Sequence, residues 1–145
     1  MTNLIGEKYL IVYADDDPDD LELVTDAFRN FTSNVRVEVF FDGVSALSYL
    51  KNLSSLDDTP CLIILDINMP RMDGKECLKK IRETESLIHV PVVLFTTSVS
   101  ERDKEFASRY KAGFISKPLS ASQMELITQK LVEHCTDDIR KLISK

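Results

Sequence analysis

The chain has 145 residues, 18 Lys and Arg against 24 Asp and Glu for a formal charge of −6, 43% hydrophobic residues and no Trp. That length suits one hydrophobic core and is cramped for two, and the composition excludes disordered, collagen-like and low-complexity classes. The acidic balance argues against autonomous nucleic-acid binding, and the longest apolar runs, such as Cys61–Leu65, are far too short to span a bilayer.

Residues 1–8 lack the basic-then-apolar order of a secretion leader. Cys61, Cys77 and Cys135 show no CxxC spacing, so reduced and mostly buried thiols in a cytoplasmic protein are expected. His89 and His134 have no partner spacing for a metal or a catalytic triad and are expected to be solvated or capping.

Tyr9–Ala14 is a short apolar run bounded by acidic residues and predicts a buried strand. Asp17-Pro18 predicts a helix start, with Asp17 as cap and Pro18 at the first helical position. Leu21, Val24, Phe28 and Phe31 then recur at helical spacing. In Asn34–Phe41, Val35, Val37 and Val39 alternate with Arg36 and Glu38, as in a half-exposed edge strand. Asp42 is placed to cap a second helix carrying Val44, Leu47 and Leu50, and Asn52–Pro60 reads as a loop. Cys61–Leu65 is uniformly apolar, as a central parallel strand should be. A helix over Gly74–Thr84 turns Cys77, Leu78 and Ile81 inward, and Val92–Phe95 is a second central strand. Ser100 can cap a helix running through Tyr110, with Phe106, Ala107 and Tyr110 on one face. Gly113–Ser116 forms a short last strand. Ser120 and Gln123 make a capping box for a last helix with Met124, Ile127, Leu131 and Cys135 inward, and Thr136–Lys145 has a weak apolar face.

This alternation is (βα)5. Right-handed crossovers make it an α/β doubly wound parallel sheet, and the edge character of the second strand favours the order 2-1-3-4-5. In such a sheet the site lies beyond the carboxyl ends of the strands. There the sequence places Asp15, Asp16 and Asp17 after strand one, Asp66 after strand three, Thr96-Thr97-Ser98 after strand four and Lys117-Pro118 after strand five. Clustered carboxylates repel one another and call for a cation. Oxygen ligands with no Cys or His nearby favour Mg²⁺. A carboxylate beside Mg²⁺ can act as nucleophile toward a phosphoryl group, with a lysine neutralising the transferring charge.

An acidic pair, then Asp66-Ile67-Asn68-Met69-Pro70, then Thr96, then Lys117-Pro118, at successive strand ends, resembles the receiver domain of two-component response regulators, and CheY-like single-domain regulators in particular. The resemblance covers about residues 8–135 and implies a single receiver domain over 1–145, with a short extension over 136–145. It implies that Asp66 is the phosphoacceptor and that Asp15, Asp16, Asp66 and the backbone carbonyl of Asn68 hold Mg²⁺. It implies that Thr96 is the switch hydroxyl, Lys117 the phosphoryl contact and Phe114 the switch aromatic. The acidic run is three long; Asp15 and Asp16 are chosen as the pair because Asp17-Pro18 fits a helix start. Counting five residues from Pro91 selects Thr96 over Thr97 as the switch.

Plainer readings stand beside these. Asp19 and Asp20 fall in the first turn of a helix, where carboxylates favour the macrodipole, and are read as structural. Phe114 also suits simple core packing. Glu101-Arg102-Asp103-Lys104-Glu105 reads as a solvated helix face. The partners implied are a sensor histidine kinase or phosphotransfer protein and a downstream target protein, with a homodimer among the options, and neither nucleic acid nor membrane. The chain is expected to be a switch that catalyses only its own phosphorylation and dephosphorylation. A haloacid-dehalogenase-type phosphatase needs an acid two residues after its nucleophile, and that position is Asn68. A degenerate receiver acting as a phosphorylation-independent scaffold is the remaining alternative.

Overall fold

The structure, a computed structural model, describes residues 9–31, 35–53, 59–97, 100–117 and 124–133. The Ser120–Gln123 capping box, His134, Cys135, the 136–145 extension and the middle of the Asn52–Pro60 loop lie outside the described residues. Five strands, β1 (Tyr9–Ala14), β2 (Val35–Phe40), β3 (Leu62–Leu65), β4 (Val92–Thr96) and β5 (Gly113–Ser116), form one parallel sheet in the order β2-β1-β3-β4-β5. The helices α1 (Pro18–Phe31), α2 (Gly43–Lys51), α3 (Gly74–Arg82), α4 (Glu101–Arg109) and α5 (Met124–Val132) alternate with them, as expected of a doubly wound fold.

The strand sequences explain the layering. β3 and β4 are buried at every position because helices cover both faces, which is why their runs are apolar throughout rather than alternating. On one face Val12, Ile63, Leu65 and Leu94 meet Leu47 and Leu50 of α2, Leu78 and Ile81 of α3 and Ala107 of α4. On the other, Ile11, Tyr13, Ile64 and Phe95 meet Val24 and Phe28 of α1 and Ile127 and Leu131 of α5. Cys61 and Cys77 are buried; burial, aided by Asp73 and Glu76, pushes the Cys77 thiol up to about 12.

The elements start where their caps are. Asp42 Oδ1 accepts from the Ser45 N–H at 2.7 Å, Asp73 caps α3 through Glu76 N–H, and Ser100 caps α4 through Asp103 N–H. Several details differ from the sequence reading, most of them boundaries moved by a residue or two. α3 stops at Arg82 rather than Thr84, because Thr84 N–H tightens onto Ile81 O and leads into a 3₁₀ turn over Glu85–Leu87. β3 begins at Leu62, although the Cys61 N–H still donates to Leu10 O at 2.8 Å. The alternation of β2 fades along its length: Val35 is buried, while Val39 is 39% exposed at the edge of the sheet.

Candidate functional site

The sheet register brings the strand ends into line. Ala14 pairs with Phe40 and with Leu65, so Asp15 and Asp66 leave adjacent central strands side by side. The ladder runs one residue further: Asp15 N–H donates to Phe40 O and Asp66 N–H to Ala14 O, both at 3.0 Å. At the other side Thr96 pairs with Ser116, and Lys117 N–H donates to Thr96 O at 2.8 Å. The backbones that carry the charged side chains are therefore held by the sheet itself.

Two glycines bring the surrounding loops close. A Cβ on Gly74, the first residue of α3, would collide with the carbonyl oxygen of Asp66, and the Gly74 N–H donates to Ile67 O at 2.9 Å. A Cβ on Gly43, the first residue of α2, would strike the Met72 carbonyl oxygen. Between these contacts Arg71 has a φ of 69° and Met72 N–H donates to Pro70 O at 2.7 Å, a left-handed γ-turn on a residue that is not glycine. Arg71 Nη1 reaches Asp42 Oδ2 at 3.3 Å.

Oxygens of Asp15, Asp16 and Asp66 all lie within 4.8 Å of one another; Asp15 and Asp66 are buried and Asp16 is exposed. Asp17 lies apart from this group as the cap of α1, accepting from the Asp19 N–H at 2.9 Å. Asn68 exposes its side chain and donates its N–H to Asp66 Oδ1 at 3.4 Å. Lys117 inserts its ammonium among the carboxylates: Nζ lies 2.7 Å from Asp15 Oδ2, 2.7 Å from Asp20 Oδ2 and 3.4 Å from Asp66 Oδ2. It also sits 5.5 Å from the centre of the Phe95 ring.

The electrostatics follow from this crowding. Burial pushes the Asp66 carboxyl up to about 6; Lys117 opposes that shift and the Asp15 charge adds to it. Burial disfavours the Lys117 ammonium, but the hydrogen-bonded carboxylates of Asp15 and Asp20 outweigh it and hold the lysine above its ordinary range. The Tyr13 hydroxyl donates to Asp15 Oδ2 at 2.7 Å, and burial with the Asp15 charge moves its ionisation far above the ordinary range. Hard oxygen donors and buried negative charge in excess of one ammonium form a donor set that suits a divalent cation of the Mg²⁺ or Mn²⁺ kind.

Thr96 is fully buried at the end of β4, and Thr97 beside it is exposed. Phe114, in register with Leu94, is half-buried against the α3 and α4 face of the sheet. Strand alternation puts Thr96 on that same face, because Leu94 lies two residues before it. The acidic segment of α4 is not wholly solvated: Asp103 meets Lys75 Nζ of α3 at 2.8 Å, and that ammonium lies 5.7 Å from the Phe106 ring centre.

Two contacts escape sequence reasoning. Asp20, read as a structural helix-start residue, sends its carboxylate across to Lys117 instead. Tyr13, one apolar-run residue among six, supplies a hydroxyl to Asp15. The signal for Tyr13 was in the period-two rule, which puts residues 13 and 15 on one side. The signal for Asp20 lay in the topology, which packs α1 on the same face as α5, the element that follows Lys117.

Residues 11–129 match the family model described as response regulator receiver domain. The chain is 30% identical over 130 residues to the probable methanogenesis regulatory protein FilR2 of Methanothrix harundinacea, covering 88% of this chain and 84% of that one. Among solved structures it superimposes on the phosphorylated cyanobacterial phytochrome response regulator RcpA with a TM-score of 0.78 and 30% identity, covering 90% of this chain and 96% of RcpA. It superimposes on the Mn²⁺-bound form of response regulator Rcp1 with a TM-score of 0.74 and 26% identity, covering 84% and 90% of the two chains. With its CheY-like fold and its carboxylates and lysine gathered at the strand ends, the chain belongs to the response regulator receiver domains of two-component signalling.

Proposed function

We propose that the chain is a phosphoacceptor switch, a single receiver unit over 1–145 in which Asp66 takes a phosphoryl group from the phosphohistidine of a histidine kinase or phosphotransfer protein. One observation carries the reading: a carboxylate 7% exposed, with its carboxyl raised to about 6, lies beside two further carboxylates and a buried ammonium at the carboxyl ends of a parallel sheet. In the transfer an oxygen of Asp66 forms a bond to phosphorus while the P–N bond of the donor breaks. The imidazole leaves with the electron pair, and an acyl phosphate remains. The Lys117 ammonium neutralises the added charge.

Asp15, Asp16, Asp66 and the Asn68 carbonyl would hold a Mg²⁺ ion, which when bound supplies charge neutralisation to the transferring group. Rcp1, in its Mn²⁺-bound form, supports a divalent ion in this cleft. The Thr96 hydroxyl then hydrogen-bonds a phosphoryl oxygen, and Phe114 turns into the space it leaves. Both sit on the face of α3 and α4, so the modification biases that face between two arrangements and a downstream protein reads the difference. Chemistry confined to its own aspartate makes the chain a signalling component rather than a turnover enzyme. A cytoplasmic location fits this role, and no helix among the described residues is long and apolar enough to cross a membrane.

Intact-mass measurement after incubation with acetyl phosphate tests the reading. One added phosphoryl group that requires both Mg²⁺ and Asp66, and is lost in Asp66→Asn, is expected. No adduct from acetyl phosphate or from a phosphorylated kinase, together with Thr96 and Phe114 NMR signals unmoved by beryllofluoride, would replace the switch by the scaffold reading.

A further inference from the structure

Asp20 is the third residue of α1, where an acidic side chain ordinarily serves the helix, reaching back to the N–H of the cap or facing the macrodipole. Here those duties are taken by others. The cap residue Asp17 donates its N–H to Asp15 Oδ1 at 3.0 Å, and its own Oδ1 accepts from the N–H groups of Asp19 and Asp20 at 2.9 and 3.4 Å. The Asp20 carboxylate is left to cross the fold, and its Oδ2 meets Lys117 Nζ at 2.7 Å over a sequence separation of 97 residues.

The three carboxylates around Lys117 are not equivalent. Asp15 and Asp66 belong to the close carboxylate cluster with Asp16, whereas Asp20 touches the lysine from outside that cluster. The two short bonds of the ammonium run to Asp15 and Asp20, and the 3.4 Å contact runs to Asp66. The Lys117 side chain is 5% exposed and that of Asp20 21%, so water screens the pair incompletely.

We propose that Asp20 is a positioning residue that draws the Lys117 ammonium toward α1 and competes for it with a phosphoryl group on Asp66, a brake on phosphorylation built into the first turn of the first helix. The inference rests on the reading of Asp66 as phosphoacceptor. Transfer to Asp66 brings new anionic oxygens to the ammonium, and the bond to Asp20 must lengthen for Lys117 to follow them. Asparagine at this position keeps the volume and an acceptor oxygen but removes the competing charge.

The test times phosphoryl adduct formation by intact mass on the full chain, with acetyl phosphate and saturating Mg²⁺, for wild type, Asp20→Asn, Lys117→Met and the double variant. Beryllofluoride titrations of the same four proteins, read on the Thr96 and Phe114 NMR signals, give a second measure. Asp20→Asn is expected to raise the initial rate about three- to tenfold and to lower the beryllofluoride midpoint, with neither gain in the Lys117→Met background. A purely structural role at the helix start would lower the urea midpoint and leave rate and beryllofluoride midpoint unmoved. An unchanged or slower rate in Asp20→Asn, or an equal gain in the Lys117→Met background, overturns the brake while Asp66 remains the acceptor. A wild type that takes no Asp66-dependent adduct overturns both readings together.

Discussion

The two ends of the sheet each hold a cation, and they do so in opposite ways. At the carboxyl end Lys117 is surrounded by the carboxylates of Asp15, Asp20 and Asp66. At the amino end of β4, Arg82 is half-buried and bonded to backbone: Nε donates to Tyr110 O at 2.8 Å, Nη1 to Val90 O at 2.7 Å and Ile88 O at 3.3 Å, and Nη2 to Lys111 O at 3.2 Å. Those four carbonyls belong to the loops before β4 and β5, so one side chain fastens two loops to α3. Carbonyls fixed in a backbone cannot exchange partners, whereas carboxylates on rotatable side chains can. On the proposed reading, one end stays as it is and the other rearranges.

The largest effect expected on this contrast comes from Arg82→Leu. Losing four bonds from a charged donor should destabilise the fold by about 3 kcal/mol, while the rate of phosphoryl labelling stays near wild type. Urea unfolding followed by far-UV circular dichroism, beside the labelling assay, checks both halves. A stable Arg82→Leu protein would erase the distinction between the two ends.

Asp66→Asn should act in the reverse sense. The folded carboxyl is raised to about 6 from an ordinary 3.8, with burial as the main cause. Near pH 3, well below both values, folded and unfolded chains alike carry the proton, and the group is neutral to stability. As pH rises through 6 the folded chain must bear a desolvated charge, and stability is lost. The amide variant should thus gain roughly 2–3 kcal/mol above pH 7 without divalent ions, and the gain should fade as the pH falls and vanish by about pH 3. Paired urea titrations across that range measure it; an undiminished gain at about pH 3 would assign the effect to packing.

Gly74→Ala probes the join between the site and α3. The added methyl meets the Asp66 carbonyl oxygen and must displace it, at about 2 kcal/mol in stability and with slower labelling of Asp66. Thermal melts and intact mass read the two effects. The smallest change is expected for Arg71→Gly. It relieves the left-handed φ of 69° but adds backbone entropy and loses an exposed pair with Asp42, for a net gain below about 1 kcal/mol in a melt.

Much of this molecule was legible in its residues. Uniformly apolar Leu62–Leu65 announces a strand covered on both faces, and the polar residue that ends each such run points to the cleft. Asp15, Asp66, Thr96 and Lys117 could be named because each follows or ends a strand whose limits periodicity gives. Contacts between elements were not legible. Asp20 already had a sufficient local explanation as a first-turn acid, so its partner 97 residues away was signalled only indirectly, by the topology that packs α1 beside α5. The Lys75–Asp103 pair and the four-carbonyl grip of Arg82 depend on how α3, α4 and their loops approach one another, which no single helical period encodes.

The bond from Tyr13 to Asp15 has an optical consequence. The chain has no Trp and four Tyr, so tyrosine alone supplies its near-ultraviolet fluorescence. Of these rings only that of Tyr13 is fully buried, and its hydroxyl rests on a carboxylate oxygen of the acidic cleft. A phenol hydrogen-bonded to a carboxylate absorbs to the red and emits weakly. Any event that draws charge off Asp15 should brighten and blue-shift this one chromophore, so the unlabelled protein carries its own lamp beside the site it would report on.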